Sequence, residues 1–265
     1  MPQIDKVYSR EDGAVMCIKS VIKRGIVLCF ISLALFMIPF NSKAAAPEPK
    51  RADGAVFKET FDDKKDVADW EKQGSGLYEV QKGELVFNQS DGDNAVDHPE
   101  HKVGNKEYVL QTDFKIPNTA NMKAPFMIIG LITSEGGSVK WLTNFRFFTD
   151  LEDQYTVGVQ DPEQVEFASK LNKDKTYTIA IEITSENEAH YFLFADNRDA
   201  GTFLGTIQLS SSQSDKVRIG NVFGGGSGVL IVDNIMLGNP TSAILLVLSA
   251  SRLSTTWGAL KETIR

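Results

Sequence analysis

Apolar and polar residues alternate along most of the chain between residues 56 and 238. Around residue 180, the apolar residues Tyr177, Ile179, Ile181 and Ile183 occupy every second position. This period of two is typical of an antiparallel strand with one buried face. The same pattern predicts further strands at residues 77–80, 84–87, 108–116, 190–194 and 217–222.

Two longer segments are apolar at consecutive positions rather than at alternate ones. Residues 125–132 (PFMIIGLI) and 141–148 (WLTNFRFF) have this composition, which predicts central strands covered on both faces. Turn residues separate the predicted strands at intervals of roughly 8–15 residues, and no sustained helical stripe interrupts them. The pattern predicts an all-β, antiparallel, two-sheet jelly-roll sandwich of about a dozen strands.

The first 44 residues have the composition of a secretory signal peptide. Lys19, Lys23 and Arg24 precede a largely apolar run at residues 26–40, which small residues follow. This run is shorter than the ~20 residues of a membrane-spanning helix. We predict a signal helix that starts at Met1 or Met16 and is cleaved after Ala44. The protein is therefore expected to be secreted, to the extracellular space, the cell surface or the periplasm.

The positions of the cysteines and the net charge limit the disulfide bonds and the classes of partner that can be expected. Both cysteines, Cys17 and Cys29, lie in the predicted signal peptide, so the mature protein would have no disulfide bond. Residues 45–265 contain 22 basic and 32 acidic residues, a net charge of −10. A field of this sign repels the phosphates of nucleic acids and anionic lipids, so neither is an expected partner.

The sequence changes in character after Gly238. Asn239-Pro240 is expected to end the last strand, and apolar residues then recur at helical spacing. These are Leu253, Trp257, Leu260 and Ile264, and Thr255 or Thr256 would cap their helix. We assign residues 45–54 to a linker, 55–238 to the sandwich domain and 239–265 to a tail with an amphipathic helix. The helix would pack on the domain or dock with another partner.

Residues 220–228 (GNVFGGGSG) are rich in glycine. A phosphate-binding glycine loop is followed by a helix, whereas the residues that follow here, Val229–Val232, are typical of a strand. A terminal hairpin is therefore favoured over a nucleotide site. Its glycines would place the last strand beside the first one, with Asp233 facing the acidic start of the domain.

Two stretches resemble concanavalin A-like (laminin G-like) β-sandwich domains of the secreted bacterial lectin and glucanase type. The first is FKETFDD at residues 57–63 with Trp70 and LYEVQKGELV at 77–86; the second is GVLIVDNIML at 228–237. The resemblance covers about residues 55–238 and implies this fold. The fold carries lectins, adhesion modules, glycan-binding modules and glycosidases, so no single function is implied.

The resemblance also implies a structural calcium site. In related modules, an acidic residue of the first strand and an aspartate of the last strand share a Ca²⁺ ion. The matching positions are Glu59, Asp62 and Asp233, and carboxylate oxygens are the ligands that calcium prefers. The alternative is that the three are ordinary solvated carboxylates.

Two other clusters have the residue types of a metal site or an active site. His98 and His101 lie in the acidic stretch 91–101 and could together bind a transition metal. Pro99 between them disfavours a helical face and their spacing matches no zinc signature, so a mobile acidic loop is the favoured interpretation. The stretch from Glu182 to Glu188 (EITSENE) approximates the E-x-D-x-E or E-x-D-x-x-E pattern of sandwich-fold endoglucanases, in which two carboxylates act on one glycosidic bond. Thr184 stands at the place of the central aspartate, and residues 185–188 predict a turn, so catalysis here is disfavoured.

A sugar-binding face is predicted from an aromatic and polar group of residues. Sugars stack on aromatic rings, while amide and charged side chains bind their hydroxyl groups. Trp141, Asn144, Arg146 and Tyr155 lie on two neighbouring segments, and Arg146 and Tyr155 are expected to be partly exposed. The alternative is that Trp141 shares its face with Phe145 and Phe147 and fills the core.

These features favour a secreted, non-enzymatic recognition module. Its expected ligand is an extracellular glycan or a cell-surface partner. A glycan-processing hydrolase of the same fold is the alternative.

Overall fold

The computed structural model describes residues 45–74, 77–89, 94–99, 103, 107–117, 126–135, 138–149, 155–195, 200–221 and 228–243, with the backbone alone for some strand-end residues. The predicted signal peptide and the predicted amphipathic helix of the tail lie outside these ranges. Within them, no helix has the length and apolar character needed to cross a membrane.

Strands make up nearly all of the regular structure in the described ranges. A short 3-10 helix spans Lys64–Val67. The strands are β1 (Lys50–Ala52), β2 (Phe57–Glu59), β3 (Glu71–Gly74), β4 (Leu77–Gln81), β5 (Glu84–Gln89), β6 (Asn94–Asp97), β7 (Tyr108–Lys115), β8 (Phe126–Glu135), β9 (Ser138–Thr149), β10 (Tyr155–Val159), β11 (Val165–Leu171), β12 (Thr176–Ile183), β13 (Glu188–Phe194), β14 (Thr202–Gln208), β15 (Lys216–Asn221), β16 (Gly228–Gly238) and β17 (Pro240–Ser242).

The strands form two large antiparallel sheets and one small one. Sheet I has the order β11-β10-β9-β8-β15-β6-β3, and sheet II has the order β14-β13-β12-β7-β16-β5-β4, with β2 also paired to β16. Strands β1 and β17 pair with each other. The prediction of an all-β antiparallel sandwich is confirmed, and β8 and β9 are the central strands of sheet I that their composition predicted.

The core lies between sheets I and II. Phe114 of β7 contacts Phe145 and Phe147 of β9, with ring centroids 6.2 Å and 5.5 Å apart. The hydroxyl groups of Thr143 on β9 and Tyr191 on β13 are hydrogen-bonded inside this core. Each large apolar side chain buried there stabilises the fold by roughly 1.5–3 kcal/mol. Side chains at the alternate positions of β9, including Asn144 and Arg146, therefore lie on the outer face of sheet I.

The expected linker and tail pair with each other instead of remaining separate. Lys50 pairs with Ser242 and Ala52 with Pro240, and the Arg51 guanidinium lies 3.9 Å from the centre of the Phe194 ring. The expected end of the last long strand at Asn239-Pro240 agrees with the structure, because β16 ends at Gly238 and β17 begins at Pro240. Residues 50–52 of the expected linker and 240–242 of the expected tail form short strands. Segments of three residues are too short to show a period, and proline is compatible with an edge strand.

The predicted terminal hairpin is also wrong. Strand β15 belongs to sheet I and β16 to sheet II, so the glycine-rich segment joins two sheets rather than two paired strands. Residues 222–227 themselves lie outside the described ranges. The last long strand does lie beside the first strand of the domain, because Ile235 of β16 pairs with Glu59 of β2.

Candidate functional site

A row of polar and aromatic side chains crosses the outer face of sheet I. It runs over β6, β15 and β9 to the residues that follow β10. We call it the outer-face row; its members are Asp97, Arg218, Trp141, Asn144, Arg146, Gln160 and Asp161.

One half of the row is a buried ion pair. Arg218 Nε and Nη2 donate to the two carboxylate oxygens of Asp97 at 2.5 Å and 2.7 Å, and Gln73 Nε2 donates to Asp97 at 3.3 Å. Because the pair is bidentate, both side chains are fixed in orientation. The Arg218 guanidinium lies 5.4 Å from the centre of the Trp141 ring, within the range of a cation–π interaction.

Two aromatic rings of β9 lie against glycines of neighbouring strands. A Cβ atom on Gly130 would lie 2.7 Å from both Trp141 Cζ3 and the Thr143 carbonyl oxygen, and one on Gly158 would lie 2.8 Å from Phe148 Cε2 and closer still to the Val165 carbonyl oxygen. A larger residue at either glycine would therefore clash with the backbone as well as with the ring. Trp141 and Phe148 are both half-buried, which leaves part of each ring accessible.

Trp141 does not fill the inter-sheet core, because a register shift changes its face. Leu131 pairs with Thr143, and the next residue, Ile132, pairs with Trp141. Leu142 is thus an extra residue in β9, as in a β-bulge. The alternation counted from Phe145 and Phe147 therefore does not extend to Trp141, and a sequence pattern alone does not reveal such a shift.

The other half of the row joins β9 to the segment after β10. Asn144 Nδ2 donates to Asp161 Oδ2 at 2.8 Å, and the Gln160 backbone N–H donates to Asn144 Oδ1 at 3.0 Å. Arg146 Nη1 donates to the Gln160 side chain, and Arg146 Nη2 lies 3.7 Å from Asp161 Oδ2. Asn144 and Arg146 thus fix the positions of Gln160 and Asp161.

The expectation that Arg146 is partly exposed is wrong. Its exposed fraction is 3%. Burial lowers the pKa of Arg146, and the charge of Asp161 opposes this shift. The Nε atom has no hydrogen-bond partner among the described residues, so one donor of a buried guanidinium is unsatisfied there.

Tyr155 stays a prediction. It is the first residue of β10, and its backbone pairs with Thr149 and Leu171. Its side chain lies outside the described part of the structure.

The three expected calcium ligands do not form one group. Glu59 Oε1 is 3.6 Å from His98 Nε2, Asp62 accepts a hydrogen bond from Thr60 at 2.7 Å, and Asp233 lies opposite Asp113 in the β16–β7 register. Among the described residues, no three His, Cys, Asp or Glu side chains are arranged to hold a metal ion. Calcium binding therefore stays a prediction.

Asp233 is instead part of a like-charge pair. Burial, together with the negative charges of Asp113, Glu84 and Asp62, raises the pKa of Asp233 to about 6, although the Asn234 backbone hydrogen bond opposes this shift. Asn234 Nδ2 donates to both Asp113 and Asp233 at 3.0 Å. The two carboxylates border a cavity of about 120 Å³.

His98 packs among aromatic rings. It stacks on Phe57 at 3.9 Å and meets Trp70 edge-on at 4.9 Å, and burial lowers its pKa. These contacts give His98 a structural role between β2 and β6. His101 lies outside the described residues.

Glu182 and Glu188 are brought together, but around a histidine. His190 Nδ1 is 3.1 Å from Glu182 and Nε2 is 3.3 Å from Glu188. Bonds to both carboxylates, that to Glu182 first, raise the pKa of His190. The turn expected at 185–188 is present, since the Thr184 hydroxyl accepts from the backbone N–H groups of Glu186 and Glu188.

Four members of the row were not predicted from the sequence as site residues: Asp97, Arg218, Gln160 and Asp161. Arg218 had a readable signal, because it lies between Val217 and Ile219 as Arg146 lies between two phenylalanines. A charged residue inside an apolar strand needs a partner. Its partner, Asp97, is 121 residues away in sequence, which no local pattern shows.

Comparison with known proteins identifies the fold. No protein-family model and no curated protein sequence matches the chain. A Bacillus subtilis protein with a galectin-like fold is similar in structure, with a TM-score of 0.53, 10% sequence identity, and coverage of 73% of this chain and 99% of the other. The chain therefore has a galectin-like β-sandwich fold, which is compatible with the concanavalin A-like resemblance.

Two further structures have lower similarity. The globular domain of T. cruzi calreticulin has a TM-score of 0.46 at 14% identity and covers 79% of this chain and 99% of its own. Domain 4 of a GH43 extracellular arabinanase from Geobacillus stearothermophilus, solved in complex with arabinotriose, has a TM-score of 0.46 at 10% identity and covers 76% and 98%. Neither similarity is strong enough to assign a ligand.

Proposed function

We propose that the protein is a secreted, non-enzymatic module that binds a glycan on the outer face of sheet I. The observation that carries this proposal is the arrangement of Trp141 and Phe148 on one strand, with Gln160 and Asp161 held beside that strand by Asn144 and Arg146. Aromatic rings offer the apolar faces of sugars a stacking surface, and neighbouring polar groups select their hydroxyl pattern.

The spacing of the rings favours an extended ligand. Trp141 and Phe148 are separated along β9 by about 20 Å at the rise of a strand. Val139, at the next position on the face of Trp141, is 53% exposed and enlarges the apolar surface at that end. Such a surface is longer than a monosaccharide, so the proposed ligand is an oligosaccharide.

The buried members of the row have a supporting role in this proposal. Arg218 and Arg146 hold Asp97 and Asp161 through ion pairs. A ligand would therefore contact Trp141, Phe148, Gln160 and Asp161, while the arginines keep these groups in place. Secretion by the leader at residues 1–44 belongs to the proposal, because glycan ligands of this kind lie outside the cell.

Glycan-array binding of residues 45–265 tests the proposal. We expect binding to at least one class of oligosaccharide, and a loss of roughly five- to twelvefold with Trp141→Ala, since one stacked ring contributes about 1–1.5 kcal/mol. Trp141→Phe should retain part of the affinity. Val56→Ala is the matched control, because Val56 is an exposed apolar residue outside sheet I (45%).

Two results would overturn the proposal. Unchanged binding by Trp141→Ala would show that the site is assigned to the wrong residues. The absence of binding to every glycan would show that the proposed function is wrong. Release of reducing ends from a bound oligosaccharide would instead support the hydrolase alternative.

A further inference from the structure

We infer that the outer face of sheet I selects an uncharged, hydroxyl-rich oligosaccharide and that Asp161 excludes anionic ones. This inference rests on the proposed function and specifies its ligand class. It follows from which charges of the outer-face row are buried and which are accessible.

The arginines of the row are not available to an anionic ligand. Arg146 and Arg218 are 3% and 5% exposed, and each is bound to a carboxylate of the chain, Asp161 or Asp97. An approaching carboxylate or sulfate would have to displace this internal anion and then reach a buried guanidinium. Breaking a buried ion pair costs more free energy than a new ion pair at the surface provides.

The other cations described near this face are also engaged. Lys216 of β15 is bound to Glu71 at 2.5 Å. Lys140, next to Trp141, and Lys170 of β11 each have an interaction partner. An anionic sugar would therefore have to compete with an existing partner for each of these three lysines.

The accessible charge of the row is negative. The Asp161 side chain is 36% exposed, twelve times the 3% of the Arg146 side chain to which it is paired. A carboxylate accepts charge-assisted hydrogen bonds from sugar hydroxyl groups, and it repels uronates, sialates and sulfates. The excess of acidic residues in the chain has the same effect at longer range.

Specificity of this kind comes from repulsion as well as from attraction. Sugar hydroxyl groups satisfy Asp161 and Gln160 without disturbing Arg146, so a neutral oligosaccharide keeps the row intact. An anionic one of the same length places like charges side by side.

Paired oligosaccharides provide the test. Neutral hexose oligomers of four to six units are compared with oligouronates and sulfated oligomers of the same length, at low and high salt. We expect the neutral oligomers to bind the wild-type chain at least tenfold more tightly at low salt. The difference should shrink as salt is added, because screening weakens the repulsion.

Substitution of Asp161 tests its role directly. Asp161→Asn should reduce the ratio of neutral to anionic affinity several-fold, and Glu163→Gln, which removes an exposed negative charge two residues away, should leave it unchanged. If Asp161→Asn lowers the melting temperature enough to prevent the measurement, the wild-type salt series decides the question alone.

The outcomes separate the two claims. Equal or tighter binding of oligouronates or sulfated oligomers by the wild-type chain would overturn this inference and support the proposed glycan-binding function. An unchanged ratio in a folded Asp161→Asn variant would overturn the role of Asp161. Failure to bind any oligomer would overturn the proposed function and this inference with it.

Discussion

The outer faces of sheets I and II both contain buried side chains, but these side chains are of different kinds. On sheet II, strands β1 and β17 cover an apolar cluster that includes Phe192 and Phe194. On sheet I, Asp97, Asn144, Arg146 and Arg218 are at most 5% exposed, and they are buried as hydrogen-bonded or ion-paired groups. A polar face of this kind is stable only when its charges are paired, whereas an apolar face needs only to be covered.

This difference separates a structural surface from a candidate ligand surface. Covering an apolar face removes area from water and imposes no particular geometry. A paired row fixes the orientation of each side chain, which is what recognition of a ligand requires. The two faces should therefore respond differently to the same kinds of change.

The largest expected effect is on the buried ion pair of sheet I. Arg218→Ala leaves Asp97 buried without its partner, and breaking such a pair typically costs about 3–5 kcal/mol. Thermal unfolding should show a melting temperature lower by about 10 °C or more. The double variant Asp97→Leu/Arg218→Met removes both charges and should recover much of this loss. A fall of less than about 2 °C for Arg218→Ala would show that the pair contributes little.

The next effect concerns the cover of sheet II. Deleting residues 240–265 removes β17 and exposes Phe192, Phe194 and Ala52. The apolar burial lost corresponds to about 2 kcal/mol, or a melting temperature lower by roughly 5 °C. Deleting only residues 244–265 keeps β17 and serves as the control. Equal melting temperatures for the full-length chain and both truncations would show that β17 does not stabilise the domain.

The sequence predicted long strands well and short or distant elements poorly. The alternation of β12 and the apolar runs of β8 and β9 depend on local pattern, so their positions and their central placement could be read directly. The pairing of β1 with β17 joins residues about 190 positions apart, and the bulge at Leu142 changes the face of Trp141. Both are set by tertiary contacts that leave no periodic signal.

The sequence predicted several residues of the candidate site, but it did not predict which of them are buried or which residues they contact. Trp141, Asn144 and Arg146 do share the outer face of sheet I, because alternation on β9 fixes the positions of the last two. The burial of Arg146 depends on Gln160 and Asp161 folding back onto β9. The sequence shows those residues only as part of a turn.

A smaller effect is expected at Asp233 on sheet II. The folded-state pKa of Asp233 is raised to about 6, with burial as the first cause and Asp113 as a further one. A raised carboxyl pKa favours folding below the ordinary pKa near 4 and loses this contribution as pH rises through 6. Asp233→Asn should therefore raise the melting temperature by about 2–4 °C at pH 8, equivalent to about 1 kcal/mol after allowance for solvent screening. The gain should disappear near pH 4.

The calcium hypothesis predicts that Asp233→Asn lowers the melting temperature instead of raising it. If Asp233 binds Ca²⁺, chelation with EDTA should lower the melting temperature of the wild-type chain, and Asp233→Asn should lower it and remove the response. Asp69→Asn, at an exposed position of the domain, is the control for a change of net charge. Wild-type melting that ignores both EDTA and added Ca²⁺ would exclude the calcium site.

The smallest expected effect concerns His190, where the outer face of sheet II contains a charged group. Glu182 and Glu188 bind its two ring nitrogens, and Phe192 and Phe203 approach it edge-on at 6.4 Å and 6.1 Å. The protonated ring donates to both carboxylates, which raises its folded-state pKa above the ordinary value near 6.5. The stabilisation is therefore complete below pH 6.5 and is lost as pH rises through the folded-state pKa.

His190→Gln should thus lower the melting temperature by about 2–3 °C at pH 6, which corresponds to about 1 kcal/mol for a hydrogen-bonded charge. The difference should shrink as the pH rises through the folded-state pKa of His190, because the wild-type ring then loses its charge. Asp233 shifts stability in the same direction, so the double variant Asp233→Asn/His190→Gln should have the flattest profile between pH 5 and pH 8.5. A His190→Gln profile parallel to that of the wild-type chain would show that the ring is uncharged in the folded protein. The glutamates would then be held by the β12–β13 pairing alone, and sheet II would contain no charge that contributes to its stability at this edge.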